Sequence, residues 1–441
     1  MIKKRDYLAF ILVGFLATAV VMGMTPRTCQ AVKKISFWHA MSGERLPAVE
    51  RIVNRFNATH PDIKIEPQFS GKYKEVIAKT IAAMKAGKPP HISQACEVGL
   101  QAMLDCGVIV PVHELFKPGE VDFGDMVGPI RDYYSVKGKL YSMPFNSSTP
   151  ILYFNKDLFR KAGLAPNSPP TTYKNLERIG KKLLSSGGVP NALSTALPPW
   201  IFEQAHAYHN QYFANNQNGR RARATKVYFN RAFGVKYVET MSRLAKEKVY
   251  IYGRGEYSAN KAFLAQKIAM LIQSTSSVGS LEAAAKAKFE VGTTFLPRFE
   301  GYPRGNSVIG GATLWVLKGH PKEDYDAIKE FLKWLIRPEV TMQWHKDTGY
   351  FPVTNSAFKR LLDEGWFSEH PNYLTGFAQI LSGVKSPTSQ GVILGNFREI
   401  RNIVQTALEK SFSGAAYPKA ALDEAAKAAD RVLKEYTELH K

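Results

Sequence analysis

Hydrophobic residues follow two alternating patterns in the first part of the chain. A short apolar segment at 35–38 and an alternating one at 63–69 are typical of strands, whereas apolar residues recur at helical spacing along 46–56 and 73–84. A strand followed by a helix, twice over, predicts an α/β fold in which helices cover both faces of a mostly parallel sheet.

The same two patterns continue toward the C-terminus. The later predicted elements are strands at 269–273, 291–296 and 314–317 and helices at about 325–336 and from Pro338 to Gly349. The glycine is a suitable stop for the second of these helices. Because no flexible linker separates the domains that this length allows, we expect the chain to cross between them more than once.

One segment, PFNSSTP at 144–150, interrupts both patterns. An apolar–polar alternation ends at Phe145, small polar residues follow, and a second apolar run begins directly after Pro150. A surface turn between two strands of one sheet is the simplest interpretation. The two flanking segments both favour burial, so the pattern alone leaves the role of this segment open.

Composition and charge restrict the classes of protein to which this chain can belong. The chain has 441 residues, of which 45% are hydrophobic and 12% aromatic, so it can bury a large core and is not expected to be disordered. Its formal net charge is +21, and the basic residues are spread along the sequence. Such a charge can favour nucleic acid, an anionic membrane or an anionic small ligand, and it can equally be a general surface property.

The N-terminus has the pattern of a secretory signal peptide. Basic residues at 3–5 precede an apolar stretch from about 7 to 24, and small residues favour cleavage after Ala31. An uncleaved membrane anchor is the alternative, since the apolar stretch approaches the ~20 residues that a span needs. We expect cleavage, and therefore an exported protein.

Few residues indicate metal binding or catalysis. Cys96 and Cys106 remain after the signal segment, and simple buried thiols are favoured over a disulfide between them. His206 and His209 could share a metal, but no cysteine or carboxylate pattern supports them. The sequence contains no G-x-S-x-G, H-E-x-x-H, P-loop or G-x-G-x-x-G motif, so we expect no enzyme activity.

Residues suited to ligand binding occur at the ends of predicted elements, where open α/β sheets bind their ligands. Glu97 follows a strand and can accept hydrogen bonds from vicinal hydroxyls, although a surface or capping role is equally open. Ser274 follows a strand, and the missing side chains of Gly310-Gly311 let backbone N–H groups approach an anion. Arg401 lies on a helix that an Asn396–Glu399 capping box would open. This arginine can be a surface side chain or a bidentate partner of phosphate.

Several longer motifs are more specific than the general fold pattern. These motifs are FWHAMSGE (37–44), GKY (71–73), EVG (97–99), PFNSSTPILYFNKDLFRKAGL (144–164), IGGATLWV (309–316), WHKDTGYFPVT (344–354) and LGNFREIRNIV (394–404). In this order, and over essentially the whole chain, they resemble the glycerol-phosphate binders of ABC importers. Those binders belong to the family of extracellular solute-binding proteins that includes maltose-binding protein.

The resemblance implies a two-lobed α/β periplasmic binding protein fold with interleaved lobes and hinge crossings. The first lobe would take residues 32–145 and 295–340, and the second 148–293 and 345–441, with PFNSSTP as the first crossing. The ligand would lie between the lobes, and closure would create the surface that the permease and ATPase subunits recognise at the membrane. The protein would act in the periplasm as a monomer, without a cofactor, a metal or nucleic acid.

The resemblance also assigns roles to individual residues. Tyr73 and Glu97 would hold the glycerol end of the ligand. The residues that would hold the phosphate end are Ser148, Ser274, Gly311 through its amide, Tyr350 and Arg401. The loop after Ser274 is longer than the family pattern, so Ser276 or Ser277 could take the role of Ser274.

One position departs from the family pattern. The family has two tryptophans spaced W-x-x-W against the ligand, and here Trp200 matches the second while Leu197 stands at the first. The missing indole leaves room for a phosphodiester such as glycerophosphocholine, whose quaternary ammonium could meet the faces of Trp200 or Trp38. Trp200 can also be a plain core residue. The expected function is therefore capture of glycerol 3-phosphate or a glycerophosphodiester.

Three other functions stay open on the sequence. An oligosaccharide-binding protein of the same fold would need several aromatic platforms and would depend less on Arg401. A periplasmic phosphodiesterase would need a metal cluster or a base beside a nucleophile, and neither pattern is found. A nucleic-acid or membrane-surface binder would lose affinity steeply with salt.

Overall fold

Strands and helices alternate along most of the chain. A computed structural model describes residues 32–253 and 258–440, so the predicted signal segment, 1–31, lies outside the described residues. The strands are β1 (Lys33–His39), β2 (Ile63–Phe69), β3 (Ile92–Cys96), β4 (Ile109–Val110), β5 (Ser135–Val136), β6 (Lys139–Leu140), β7 (Met143–Ser148), β8 (Pro150–Asn155), β9 (Leu193–Thr195), β10 (Tyr250–Tyr252), β11 (Met270–Ser274), β12 (Val291–Thr294) and β13 (Gly310–Leu317).

The helices include those that the apolar spacing predicts. They are α1 (Leu46–Thr59), α2 (Tyr73–Lys85), α3 (Leu100–Asp105), α4 (Val112–Leu115), α5 (Gly128–Tyr133), α6 (Lys156–Lys161), α7 (Tyr173–Ser185), α8 (Pro198–Tyr208), α9 (Asn215–Asn218), α10 (Ala232–Lys246), α11 (Ser258–Leu264), α12 (Val278–Ala285), α13 (Lys322–Leu335), α14 (Pro338–Thr348), α15 (Asn355–Asp363), α16 (Trp366–Glu369), α17 (Pro371–Leu381), α18 (Phe397–Phe412) and α19 (Pro418–Leu439). Helix α14 ends at Gly349 as predicted, with a φ of +71° that suits a left-handed C-cap.

Two mixed sheets form the centres of the two lobes. The first has the order β2-β1-β3-β13-β4, with β7 also paired to β13, and the second has the order β10-β9-β11-β8-β12. The prediction of mostly parallel sheets is wrong, because β13 runs antiparallel to β3, β4 and β7, and β8 runs antiparallel to β11 and β12. Strands β7 and β8 are joined directly to each other, so no crossover helix forces them to run parallel to their neighbours.

The PFNSSTP segment crosses from one sheet to the other. Ser148, the last residue of β7, lies opposite Gly310 in the first sheet, whereas Pro150, the first residue of β8, lies opposite Ser274 in the second. Thr149 joins them, and its carbonyl accepts a hydrogen bond of 2.9 Å from the Thr275 backbone N–H. Every residue from 143 to 154 is buried. The surface-turn interpretation is therefore wrong, and the segment forms the floor between the lobes.

The hydrophobic contacts place one lobe border later than the resemblance does. Helix α14 runs without a break across the expected gap at 340–345, and Trp344 stacks on Phe145 of the first lobe at 4.6 Å. The Val127 N–H donates to the Val353 carbonyl at 3.0 Å, farther along the same stretch. We therefore propose that the first lobe extends past residue 345 to at least Val353, and the other lobe borders stay predictions.

The start of helix α18 differs in its capping. Asn396 is the N-cap, but its φ of +47° is left-handed and its side chain makes no capping hydrogen bond. Side-chain capping requires an extended N-cap residue, so the predicted Asn396–Glu399 capping box does not form. The helix still begins at the predicted place.

Helix length and hydropathy decide whether any helix of the described residues could span a membrane. Over residues 32–253 and 258–440, no helix combines the length and apolar character that spanning a bilayer requires.

Candidate functional site

A cavity of about 200 Å³ lies between the two lobes, against the PFNSSTP crossing. The residues that line it are Arg45, Tyr73, Cys96, Glu97, Val98, Ser148, Leu197, Trp200, Gln273, Ser274, Ser276, Ser277, Gly311, Tyr350, Arg398 and Arg401. The ends of β3, β7 and β11 and the beginning of β13 all meet here. Strand ends at a lobe boundary are where α/β proteins build ligand sites.

The cavity brings together all but one of the residues expected from the sequence. Tyr73, Glu97, Ser148, Ser274, Gly311, Tyr350, Arg401, Trp200 and Leu197 all lie on its wall. Trp38 is different: it lies half-buried on β1 and is not among the lining residues. The expected contact of Trp38 with a ligand therefore stays a prediction.

Of the residues expected at the glycerol end of the ligand, Tyr73 is held by a chain of amide hydrogen bonds. The Tyr73 hydroxyl oxygen accepts a bond of 2.8 Å from Asn146 Nδ2, and Asn146 Oδ1 accepts one of 2.7 Å from Gln94 Nε2. Burial raises the pKa of Tyr73 well above its ordinary value, so the phenol stays neutral. Because its oxygen is the acceptor here, the phenol keeps its own proton to donate elsewhere.

Neutral donors dominate the other end of the cavity. Ser148 ends β7, and Ser274 ends β11 and caps the 3₁₀ turn Thr275–Ser277 by accepting a bond of 3.2 Å from the Ser276 N–H. The Ser274 and Ser276 hydroxyl oxygens are 2.9 Å apart. The sequence left open which serine of 274–277 faces a ligand, and the structure brings Ser274, Ser276 and Ser277 to the same wall.

Gly311 allows two neighbouring strands of the first sheet, β13 and β7, to approach closely at this end. Its φ is +101°, in the range that favours glycine, and a β-carbon there would lie 1.9 Å from the Asn146 carbonyl oxygen. No side chain can therefore stand at this position without displacing the backbone of β7. The preceding Gly310 has a similar role, since a β-carbon there would lie 2.6 Å from Trp200 Cζ2.

Arg401 is held by two carboxylates, one from each lobe. Its Nε and Nη2 donate to the two oxygens of Glu203 at 2.6 and 2.7 Å, and its Nη1 donates to Glu97 Oε1 at 2.9 Å. Burial by itself lowers the pKa of Arg401, but the charges of Glu203 and Glu97 outweigh it and raise that pKa. Burial raises the pKa of Glu203, and Arg401 opposes that change. Arg401 points inward, so the surface alternative is excluded.

Glu203 is the main residue that sequence reasoning missed. It lies in the middle of α8, whose residues are all buried, and only 5% of it is exposed. A lone carboxylate in an otherwise buried helix needs a partner, because an unpaired buried charge is costly. That signal was present in the sequence PPWIFEQAHAY, although the sequence could not identify Arg401 as the partner.

Two further arginines line the cavity and were also missed. Arg45, in the 3₁₀ turn Gly43–Arg45 of the first lobe, donates from Nη2 to Ser276 Oγ at 3.1 Å and lies 5.1 Å over the Tyr350 ring. Arg398 lies one turn before Arg401 on α18, and its Nη2 approaches the Cys96 sulfur at 3.6 Å. The spacing of Arg398 and Arg401 on one helix face was a usable signal.

The position that departs from the family pattern faces the cavity. Leu197 precedes α8, has a left-handed φ of +48° and is 39% exposed. Trp200 lies one turn later and is buried against Gly310. Its indole is therefore both a core side chain and part of the cavity wall.

The cysteines and histidines have local structural roles. Cys96 and Cys106 are both free thiols, and burial raises the pKa of Cys96 to about 11. His206 Nδ1 is 2.8 Å from the Phe202 carbonyl, and His209 Nε2 accepts a bond of 2.8 Å from the Phe299 N–H. Both histidines are buried, and each has at least one ring nitrogen next to a backbone partner.

One group of metal-ligand type occurs among residues 32–253 and 258–440, in the first lobe and away from the cavity lining. It consists of His91, His320 and Asp324. His91 Nδ1 accepts a bond of 3.1 Å from the Ser36 N–H, and its Nε2 lies 3.3 Å from Asp324 Oδ2. Both ring nitrogens of His91 thus have protein partners.

The fold and the cleft define a two-lobed ligand-binding protein, and comparison with known proteins gives the family. The chain belongs to the bacterial extracellular solute-binding proteins, whose family pattern matches residues 51–375. It is similar to the sn-glycerol-3-phosphate-binding periplasmic protein UgpB of Yersinia pseudotuberculosis, with 36% identity over 93% of this chain and 94% of the relative. The Escherichia coli K12 protein of the same name is 35% identical over 96% of this chain and 98% of the relative.

Solved structures are similar in fold. UgpB from Mycobacterium tuberculosis in complex with glycerophosphocholine has a TM-score of 0.76 and 20% identity, over 92% of this chain and 100% of that chain. A cyclic maltosyl-maltose binding protein from Arthrobacter globiformis also has a TM-score of 0.76, with 22% identity over 92% and 100% of the two chains. These two proteins are named for different classes of ligand, so they support the two-lobed fold and do not distinguish the ligands.

Proposed function

We propose that this chain is the substrate-binding subunit of an ABC importer and captures glycerol 3-phosphate or a glycerophosphodiester. The observation that carries the proposal is the cleft itself, where hydroxyl-binding groups, a cluster of serines and Gly311 line one cavity. The names of the curated relatives support the same ligand class. The protein acts in the periplasm as a monomer, and its partners are the permease and ATPase subunits at the membrane.

Affinity in this proposal comes from hydrogen bonds at both ends of the ligand. Tyr73 donates to, and Glu97 accepts from, the glycerol hydroxyls, because a phenol and a carboxylate suit vicinal hydroxyls. Ser148, Ser274 and the Gly311 amide donate to phosphate oxygens, together with Tyr350. Neutral donors of this kind bind an anion without requiring a large desolvation of charge.

Arg401 takes part at the phosphate end while remaining paired. A guanidinium has five N–H donors, and Glu203 and Glu97 use three of the five on Arg401. The two remaining N–H groups of Arg401 can donate to phosphate oxygens. Glu203 therefore fixes the orientation of the guanidinium, and the ligand binds to the N–H groups that do not contact Glu203 or Glu97.

The space beside Leu197 favours a diester as the larger ligand. Leu197 lines the cavity, and an indole at that position would occupy more of the cavity than leucine does, so leucine leaves more room for a headgroup. Choline is a suitable headgroup, because its quaternary ammonium is attracted to the Trp200 face. We expect glycerophosphocholine to bind at least as tightly as glycerol 3-phosphate.

A calorimetric titration of three ligands tests the proposal. We expect heat of binding with glycerol 3-phosphate and with glycerophosphocholine and none with maltose. Heat with maltose alone would replace the proposal with the oligosaccharide alternative, and turnover of glycerophosphocholine would replace it with the phosphodiesterase alternative. A Leu197→Trp variant is the matched probe of specificity and should weaken glycerophosphocholine binding more than glycerol 3-phosphate binding.

A further inference from the structure

The charge around Arg401 leaves a ligand phosphate incompletely compensated. One guanidinium beside two carboxylates has a formal charge of −1, and the two carboxylates are buried while the Arg401 side chain is 20% exposed. An approaching phosphate is therefore repelled by this group as a whole, although individual N–H donors can still bind it. A second cation near the phosphate end would offset that repulsion.

Arg45 is positioned to supply this cation. Its Nη2 lies 3.1 Å from Ser276 Oγ and 3.4 Å from the Ser276 carbonyl, and Ser276 Oγ is 2.9 Å from Ser274 Oγ. Its guanidinium also lies over the Tyr350 ring. Of the predicted phosphate-end residues, Arg45 thus contacts Tyr350 directly and is linked to Ser274 through Ser276.

Arg45 also joins the two lobes. It follows β1 in the first lobe, while Ser276 follows β11 in the second, so their hydrogen bond spans the cleft. On the far side of this bond lies a groove of about 730 Å³, which shares Arg45, Ser276 and Ser277 with the cavity. The arginine and the two serines are therefore the wall between the cavity and the outer groove.

We propose that Arg45 is a specificity-determining residue that compensates the ligand phosphate from the first lobe and, through Ser276, couples phosphate binding to closure. This inference rests on the proposed function and names a further residue of its site. Arg398 is the other candidate cation, but it contacts Cys96, next to the glycerol-end residue Glu97.

The charge balance also bears on the ligand class. Three arginines and two glutamates line or adjoin the cavity, giving a net charge of +1 when all are ionised. A phosphodiester has a charge of −1, whereas a phosphomonoester has a charge of about −1.5 to −2 at neutral pH. The site therefore matches the single charge of a diester's phosphate group more closely, although glycerophosphocholine as a whole is neutral because its quaternary ammonium balances that charge.

The test compares Arg45→Gln and Arg45→Lys with Arg51→Gln. Arg51 is a suitable control because it is on the same lobe, has the same charge and pairs with Asp347 at 2.8 Å outside the cavity. Calorimetry with glycerophosphocholine and glycerol 3-phosphate should show binding weakened about 10-fold or more by Arg45→Gln. We expect Arg45→Lys to recover part of the loss and Arg51→Gln to stay within about two-fold of the parent.

Salt dependence separates charge compensation from a purely structural role. The parent should lose affinity for both ligands between about 50 and 300 mM salt, and Arg45→Gln should lose less of its remaining affinity. Unchanged affinity in Arg45→Gln, or an equal loss in Arg51→Gln, overturns the role of Arg45 and leaves the proposed function intact. Failure of the parent to bind either phosphorylated ligand overturns the proposed function and this inference with it.

Discussion

Two partly buried arginines in this protein have contrasting surroundings. Arg220 donates to backbone carbonyls only, at 2.8 Å to Tyr133, 3.1 Å to Ser135 and 3.1 Å to Gly391, with a further bond to Gln390. Arg401 donates to the carboxylates of Glu203 and Glu97. Burial lowers the pKa of Arg220 to about 10, whereas the carboxylates raise the pKa of Arg401.

This difference in hydrogen-bond partners indicates which of the two arginines is suited to bind a ligand. The carbonyls around Arg220 belong to the backbone of two separate segments, so the arginine holds those segments together and uses four of its five N–H donors to do so. The partners of Arg401 are side chains at a cavity, and one of them, Glu97, comes from the opposite lobe. Arg401 is therefore suited to binding, and Arg220 to holding the fold.

Removing Arg401 should have the largest effect. Arg401→Met leaves Glu203 buried without its partner, which should lower the free energy of unfolding by about 3–5 kcal/mol in urea denaturation. Binding of glycerol 3-phosphate should weaken by about 2–5 kcal/mol in calorimetry.

The double variant Arg401→Met with Glu203→Leu is the control for Arg401. It replaces the pair by apolar groups and should recover most of the stability without recovering phosphate binding. If the double variant binds glycerol 3-phosphate as the parent does, Arg401 has no role in the ligand site.

Removing Arg220 should affect folding alone. Arg220→Met leaves several buried carbonyls without a donor, which should cost about 2–4 kcal/mol of unfolding free energy. Affinity for glycerol 3-phosphate, measured where the variant is folded, should stay within about two-fold of the parent. A selective loss of binding with unchanged stability would remove the distinction between the two arginines.

Burial also lowers the pKa of several histidines, and these pKa changes fall within a pH range in which stability can be measured. The pKa values of His39, His206, His209 and His345 are all lowered to about 4. The unfolded chain protonates these groups below about pH 6.5 and the folded chain does not, so stability that is complete above pH 6.5 is lost as pH falls toward 4.

The loss should be about 1–3 kcal/mol for each buried histidine. Urea denaturation at a series of pH values measures it, and His206→Gln should flatten the profile. Equal stability at pH 7 and pH 4.5 would show that these imidazoles are not held neutral.

The smallest effect should come from making the surroundings of Arg401 resemble those of Arg220. Glu203→Gln keeps an acceptor beside Arg401 but removes one negative charge. Binding of glycerol 3-phosphate should tighten by about 3- to 10-fold, because the repulsion on the phosphate is reduced. Calorimetry of this variant beside Glu97→Gln separates charge from glycerol recognition, since Glu97→Gln should weaken binding instead. Weaker binding in Glu203→Gln would contradict the charge argument.

Local patterns predicted much of the fold, and long-range pairing explains most of what they missed. The helix from Pro338 to Gly349 and the strand before Ser274 depend on neighbouring residues, so sequence spacing was enough. The pairings of Arg401 with Glu203 and of Arg45 with Ser276 join residues far apart in the chain. They depend on how the lobes meet, which no single stretch of sequence determines.

The same reasoning explains what local spacing missed at single positions. Trp38 lies on β1 and is not among the cavity-lining residues, and its expected contact with a ligand stays a prediction. The antiparallel pairings of β8 and β13 follow from the crossing at Thr149, which local hydrophobic spacing does not reveal.

The position of the phosphorus atom in a crystal structure of the glycerophosphocholine complex tests the central claim most directly. We predict phosphate oxygens within hydrogen-bonding distance of the Ser148 and Ser274 hydroxyls and the Gly311 amide, with Arg401 still paired to Glu203. A ligand bound outside the cleft, or a phosphate with no contact to these three donors, would contradict the account.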